Sequence, residues 1–157
     1  TVLNQTKHNT IVHFLRDNPG SQFRGLADAL KMTIGVLEYH LGLLTSRGLV
    51  TEHRDGRFRR YFEAGKFTEA EMKIVSVLRH RVSGMILIVL LRRPCTRHKD
   101  LAGQVNVSSQ ALSWQMKRLE SMKLVKRNAD GLNVNYSLDE TVRALVDKCA
   151  LSVFQVG

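Results

Sequence analysis

Between Ser109 and Lys117, helical spacing puts Ser109, Gln110, Ser113, Trp114 and Lys117 on the side opposite Leu112, Met116 and Leu119. These are side chains with something to offer a base edge. A Gln amide can bond adenine through two hydrogen bonds, and a Ser hydroxyl can bond several bases. Lys117, Arg118, Lys123, Lys126 and Arg127 follow closely enough to hold phosphates. A second group, Arg54, Arg57, Arg59 and Arg60, crowds around Asp55-Gly56. Arginine is the favoured cation at a phosphate backbone and in a narrow minor groove. The bland counterparts are a solvated helix face and an Arg-rich strand that keeps a sheet edge from sticking.

The overall balance points the same way. Lys and Arg number 24 against 14 Asp and Glu, a net charge of +10, which suits a polyanion: nucleic acid first, an anionic membrane surface second. Other chemistry finds little support. Six histidines and the two cysteines, Cys95 and Cys149, make no metal-ligand spacing and no disulfide framework. Cys95, with Arg92, Arg93 and Arg97 nearby, is a candidate redox-sensitive thiol, set against a helix-end Cys with no role. Gly-rich phosphate loops, nucleophile elbows and paired catalytic carboxylates are missing, so no enzyme, cofactor or metal is expected. The longest apolar run, Met85 to Leu91, is far too short to span a membrane. A reducing, cytoplasmic setting is the expectation, for a chain that begins at Thr1 as though cut from a longer one.

The elements that would position these residues emerge when the chain is compared with itself. Shifted by 75 positions, residues 11–61 match residues 86–136 without a gap. Ile11 falls on Ile86, Pro19 on Pro94, Leu26-Ala27 on Leu101-Ala102, and Leu37 on Leu112. Leu44 falls on Leu119, Leu49-Val50 on Leu124-Val125, Asp55-Gly56 on Asp130-Gly131, and Tyr61 on Tyr136. Amphipathic helices alone would supply the leucines but not the paired Pro and Asp-Gly punctuation. Two copies are too few for a solenoid, so two small tandem domains are predicted.

Each copy has one order of elements. A first helix stops before Pro19 or Pro94, with Ser83 a candidate N-cap for the second copy's. A short helix follows over 23–30, and over 97–105 behind Thr96. Thr33 and Ser108 then cap a third helix, in which Leu37, Leu41 and Leu44, or Leu112, Met116 and Leu119, recur at i, i+4 and i+7. Gly48 suits the close of the first of these. Two β-prone runs flank Arg54-Asp55-Gly56 and Ala129-Asp130-Gly131, a hairpin signal. A last helix opens at the capping boxes Thr68-Glu69-Ala70-Glu71 and Ser137-Leu138-Asp139-Glu140.

Helix, helix-turn-helix, hairpin is the winged helix-turn-helix order. Over Thr33–Val50 and Ser108–Val125 the chain resembles the recognition helix and first wing strand of tandem winged helix-turn-helix transcriptional regulators. That group is found especially in archaea, and each of its domains is similar to the ArsR and MarR types. The resemblance implies a mainly α fold with small β-hairpins and two tandem winged helix-turn-helix domains: 1–66, a linking helix 67–82, and 83–157 with a C-terminal helix. It implies a sequence-specific DNA-binding regulator of transcription that is not an enzyme. The third helix of each copy then sits in the major groove and the wing on backbone or minor groove.

Double-stranded DNA is the implied partner, met by Ser109, Gln110, Ser113, Trp114, Lys117 and Arg118 in the second copy. Thr33, Glu38 and Tyr39 on the helix, and Arg54, Arg57, Arg59 and Arg60 on the wing, are the first copy's candidates. The first copy is the odd one: the outer face of its third helix, Ile34, Gly35, Glu38, Tyr39 and Gly42, is short of cations and has one acid, so weak reading and protein contact both stay open. The Cys-rich metal motif of many ArsR-type sensors is absent. The post-wing helices carry apolar stripes, at Met72, Val75, Leu78 or Arg79, and Val82, and at Val142, Leu145, Val146, Cys149 and Val153. Each is expected to pack on its own domain, the first also joining the two, and a homodimer through these helices is expected as well. The runner-up is a winged-helix protein–protein adaptor with weak or non-specific nucleic-acid binding.

Overall fold

A computed structural model describes residues 2–155, and the chain divides into two compact units after Ser76. The first holds α1 (Val2–Asp17), β1 (Ser21–Gln22), α2 (Phe23–Leu30), α3 (Ile34–Ser46), β2 (Val50–Asp55) and β3 (Phe58–Glu63). Helix α4 (Glu69–Arg79) carries the chain into the second unit. There α5 (Arg81–Arg92), β4 (Thr96–Arg97), α6 (His98–Val105), α7 (Ser109–Ser121), β5 (Val125–Asp130), β6 (Asn133–Leu138) and α8 (Arg143–Phe154) repeat the order. The fold is mainly helical, with two small hairpins as wings: two tandem winged helix-turn-helix domains.

In each unit the hairpin gains a third strand, in the antiparallel order β1-β3-β2 or β4-β6-β5. Strands of two residues carry no alternation, so β1 and β4 leave no mark in the sequence pattern. Ser21 lies opposite Tyr61, and Thr96 opposite Tyr136. The core of the first unit joins Ile11 and Leu15 of α1 to Leu26 of α2 and to Leu37, Leu41 and Leu44 of α3, closed by Val50 and Tyr61. Burying each such leucine is worth about 1.5–3 kcal/mol relative to exposure. Ile86, Leu90, Leu101, Leu112, Met116, Leu119 and Tyr136 are buried in the second unit, together with Val146, Cys149 and Val153 of α8.

The predicted caps hold for both third helices. Thr33 accepts a hydrogen bond from the Val36 N–H at 3.3 Å, and Ser108 accepts one from Ala111 at 3.1 Å. At α4 the capping box is reciprocal: Thr68 N–H donates to Glu71 Oε1 at 2.9 Å, and Glu71 N–H to Thr68 Oγ1 at 3.1 Å.

Other local expectations need correcting. Ser83 is no cap. It is buried within α5, which begins at Arg81, and its hydroxyl donates to the Val77 carbonyl at 3.1 Å. Beside it Gly84 lies so close to the Leu78 carbonyl that no Cβ would fit. Thr96 belongs to β4 and donates to the Arg93 carbonyl, so α6 starts after Arg97 without a side-chain cap. Ser137 and Leu138 extend β6; Asp139 instead accepts from Thr141 N–H at 2.9 Å, and α8 begins only at Arg143.

Both hairpin turns are shifted by one residue. Asp55 pairs with Phe58 and Asp130 with Asn133, so the two-residue loops are Gly56-Arg57 and Gly131-Leu132. Glycine at the first loop position, with φ of 60° and 61°, is what a type II′ turn requires.

Candidate nucleic-acid interface

In the second unit α7 turns Leu112, Met116 and Leu119 into the core and leaves Ser109, Gln110, Trp114 and Lys117 exposed, with Ser113 and Arg118 half-buried. Trp114 is 63% exposed, so nothing within the unit accounts for it as packing. Ser113 donates its hydroxyl proton to the Ser109 carbonyl at 3.0 Å, which leaves its oxygen able to accept. Beside this face runs a cleft of about 860 Å³, whose lining includes the cations Arg97, Lys99, Lys117 and Arg127, the acids Asp100 and Glu120, and Ser113 and Tyr136. Cations from α6, α7 and the wing therefore converge on one opening. At the wing tip stands Leu132, wholly exposed.

His98, which belongs to no sequence motif, also lines this cleft. Its Nδ1 lies 2.9 Å from the Tyr136 hydroxyl, and its Nε2 lies 2.9 Å from Ser109 Oγ and 3.1 Å from the Ser109 carbonyl. A carbonyl only accepts, so Nε2 carries the proton and Nδ1 accepts from Tyr136. Burial pushes the Tyr136 phenol up, which keeps that donor protonated. The signal that would have found His98 lies in the repeat: its twin is Phe23 and the twin of Ser109 is Ile34, so a polar pair replaces an apolar one.

The first unit distributes its chemistry differently. Thr33 caps α3, Tyr39 is 57% exposed, and Glu38 projects outward between them. Arg59 grips that carboxylate with both terminal nitrogens, Nη1 to Oε1 and Nη2 to Oε2, each at 3.0 Å. Its guanidinium also lies over the Phe23 ring, 4.4 Å from the centroid. The hydrogen bond from Arg59 holds Glu38 below the usual carboxylate range, and the same bond raises Arg59.

Arg60 is buried. Its Nε donates to Asp55 Oδ2 at 2.8 Å and its Nη1 to the Gly20 carbonyl at 2.9 Å. Arg54 and Arg57 are exposed. Of the predicted wing cations, then, two face outward, one is neutralised by the third helix, and one is committed inside the sheet.

A buried histidine pair completes this unit. His8 of α1 and His40 of α3 meet at 3.1 Å, Nε2 to Nδ1, and both are under 6% exposed. Burial lowers both from the ordinary histidine value, for His8 with help from Arg47 and for His40 from His8 and Lys7. Among the described residues no three His, Cys, Asp or Glu side chains come together as a metal site. Among them, too, no single helix is long and apolar enough to cross a membrane.

Comparison with known proteins divides the chain at the same place. Residues 5–75 match a family of N-terminal HTH domains, and residues 79–126 match the winged helix-turn-helix DNA-binding family. An HTH-type transcriptional regulator of Methanocaldococcus jannaschii is 25% identical over 143 residues, 90% of this chain but 35% of that protein. The chain thus spans about a third of the length of that relative. Among solved structures, Rv0081 of M. tuberculosis is 25% identical, covering 53% of this chain and 83% of its own, with a TM-score of 0.46. MepR of S. aureus, solved in a DNA complex, is 20% identical over 54% of this chain and 70% of its own, with a TM-score of 0.45.

Proposed function

Because the chain is a tandem winged helix-turn-helix protein, we propose that it is a sequence-specific, non-enzymatic DNA-binding regulator of transcription. Double-stranded DNA is its partner. In this reading α7 lies in a major groove, where Gln110, Ser109 and Ser113 meet base edges and Trp114 packs on sugar or a thymine methyl. Lys117, Arg118, Lys126 and Arg127 hold phosphates beside it, and Arg54 and Arg57 hold backbone from the first wing. The observation that carries the reading is the second unit's third helix. Its polar face is largely exposed, capped by Ser108 and bordered by a cleft in which Arg97, Lys99, Lys117 and Arg127 outnumber Asp100 and Glu120.

We assign the first unit's α3 a weaker part in base reading, since its acid is spent on Arg59 and its outward face is made by Ile34, Gly35, Tyr39 and Gly42. The working form is a homodimer in the cytoplasm. A cleft of about 750 Å³ in the second unit, lined by Met85, Ile88 and Leu91 of α5 and by Leu151 and Phe154 of α8, is the surface a second copy would cover. Arg81, Arg92 and Asp147 at its edges offer both signs of charge to a two-fold-related copy.

Selection of bound duplexes from a random pool at physiological salt tests the function. Enrichment of a motif is the expected result. Absence of any enrichment would overturn the regulator in favour of a protein–protein adaptor.

A further inference from the structure

We propose that His98 is a specificity-determining positioning residue: it locks the first turn of α7 to the wing strand β6, so that Ser109 and Gln110 meet the bases in a fixed register. The inference rests on the DNA-reading function proposed above for α7. His98 is the first residue of α6, yet its two ring nitrogens engage two other elements, Tyr136 on β6 and Ser109 at the start of α7. Helix starts fray unless held, and Ser109 precedes Gln110 directly. The bond to the Ser109 backbone carbonyl therefore fixes main chain and not merely a hydroxyl rotor.

The first unit shows what the same site looks like without this lock. Phe23 stands for His98 and Ile34 for Ser109, while Tyr61 stays where Tyr136 is. The ring packing survives, with centroids 6.4 Å apart for Phe23–Tyr61 and 5.7 Å for His98–Tyr136. What differs is the hydrogen bonding from ring to helix. Packing alone thus suffices for the fold, and the His–Ser pair occurs in the copy whose third helix carries the base-reading side chains.

The repeat also supplies the test, because Phe is already tolerated at this place. His98→Phe removes both sides of the lock, and Tyr136→Phe the side on β6 together with its bond to Arg127, while the rings are kept. The probes are the duplex enriched by the full chain and a scrambled duplex of equal length; the readout is the ratio of their dissociation constants. Both variants should melt as the wild type does and bind the scrambled duplex equally well, while the ratio falls roughly fivefold, the worth of about one hydrogen bond. Adding Tyr136→Phe to His98→Phe should lower the ratio no further, since the two residues act as a unit. An unchanged ratio in both single variants, or fully additive losses in the double, overturns the lock and leaves the function standing. A pool without any preferred duplex removes the function and the lock together. If His98→Phe fails to fold, Tyr136→Phe alone decides the question by the same ratio.

Discussion

Glu38 and Arg59 cancel each other across the outer face of the first unit, joined by two parallel hydrogen bonds of 3.0 Å. One comes from the third helix and the other from the wing, so the two elements that should meet DNA are tied to each other. Glu38 is 55% exposed and Arg59 28%, so solvent screens the pair and its loss should cost less than about 1 kcal/mol of stability. Its effect on binding should be larger. Glu38→Gln removes a charge that repels phosphate and releases Arg59. Affinity for any duplex should rise several-fold, and the log–log salt slope should steepen by about 0.9, one phosphate contact. Titrations at three salt concentrations measure this, and an unchanged slope would mean that Arg59 does not reach the backbone.

Arg60 should behave unlike its neighbours on the same strand. It is 5% exposed, and its partner Asp55 stands at the end of β2. Arg60→Ala takes the Arg60 hydrogen bonds from a half-buried carboxylate and from the Gly20 carbonyl, a loss of about 3 kcal/mol. Arg54→Ala and Arg57→Ala, both on exposed side chains, should change stability by under about 0.5 kcal/mol and weaken binding to all duplexes alike. Chemical denaturation of the full chain, followed beside DNA titration, separates the two behaviours. A wild-type unfolding curve for Arg60→Ala would contradict the ion pair.

The acid response of the first unit follows from His8 and His40. Both have their titration lowered in the folded state by burial, while an unfolded histidine titrates near 6.5. The unfolded chain therefore binds more protons between those values, and stability must fall as pH drops. The contribution is complete above about 6.5 and is lost as pH falls through the lowered folded values. The expected observation is a lower unfolding midpoint for the first unit at about pH 5.5 than at about pH 7.5. His40→Gln should blunt the difference; Gln is the residue at the twin position, 115. Equal midpoints at both pH values in the wild type would show that the pair is not what acid disrupts.

The repeat explains why so much of the fold is legible in the sequence. Pro19 and Pro94, the caps Thr33 and Ser108, and the buried leucines are local signals that local physics obeys, and each appears twice. What stays hidden is set by partners distant in sequence. Ser83 looks like a cap until Val77 takes its hydroxyl, and Ser137 looks like a helix start until β5 takes its backbone. Asp-Gly reads as the turn itself, yet pairing of Asp55 with Phe58 moves the loop to Gly56-Arg57. The candidate site is legible as a set of residue types, but not in its pairing. Composition shows four wing arginines; only the folded sheet reveals that Arg59 meets Glu38, 21 residues earlier, and that Arg60 turns inward.

Salt dependence follows from that inventory. With Arg59 and Arg60 engaged, the exposed cations include Arg54 and Arg57 on the first wing and Arg97, Lys99, Lys117, Lys123, Lys126 and Arg127 around α7. On the order of five phosphate contacts gives a log–log slope of about −4 to −5. A slope near zero for every duplex would exclude DNA as a partner.

The sharpest separation of reader from adaptor comes at Gln110. It is exposed on the first turn of α7 and follows Ser109, which His98 holds. Gln110→Ala should therefore leave folding within about 0.5 kcal/mol of the wild type. A bidentate Gln–adenine contact is worth about 1–3 kcal/mol of discrimination, so preference at one base pair should relax roughly fivefold or more while scrambled duplex binds as before. Ser113→Ala should act more weakly, because the Ser113 hydroxyl proton is already given to the Ser109 carbonyl and only its acceptor side faces outward. Binding measured against a panel of single-base variants of the enriched duplex resolves which position each residue reads. If both substitutions together change neither preference nor affinity, α7 is not the reader, and α3, through Thr33, Glu38 and Tyr39, becomes the helix to test.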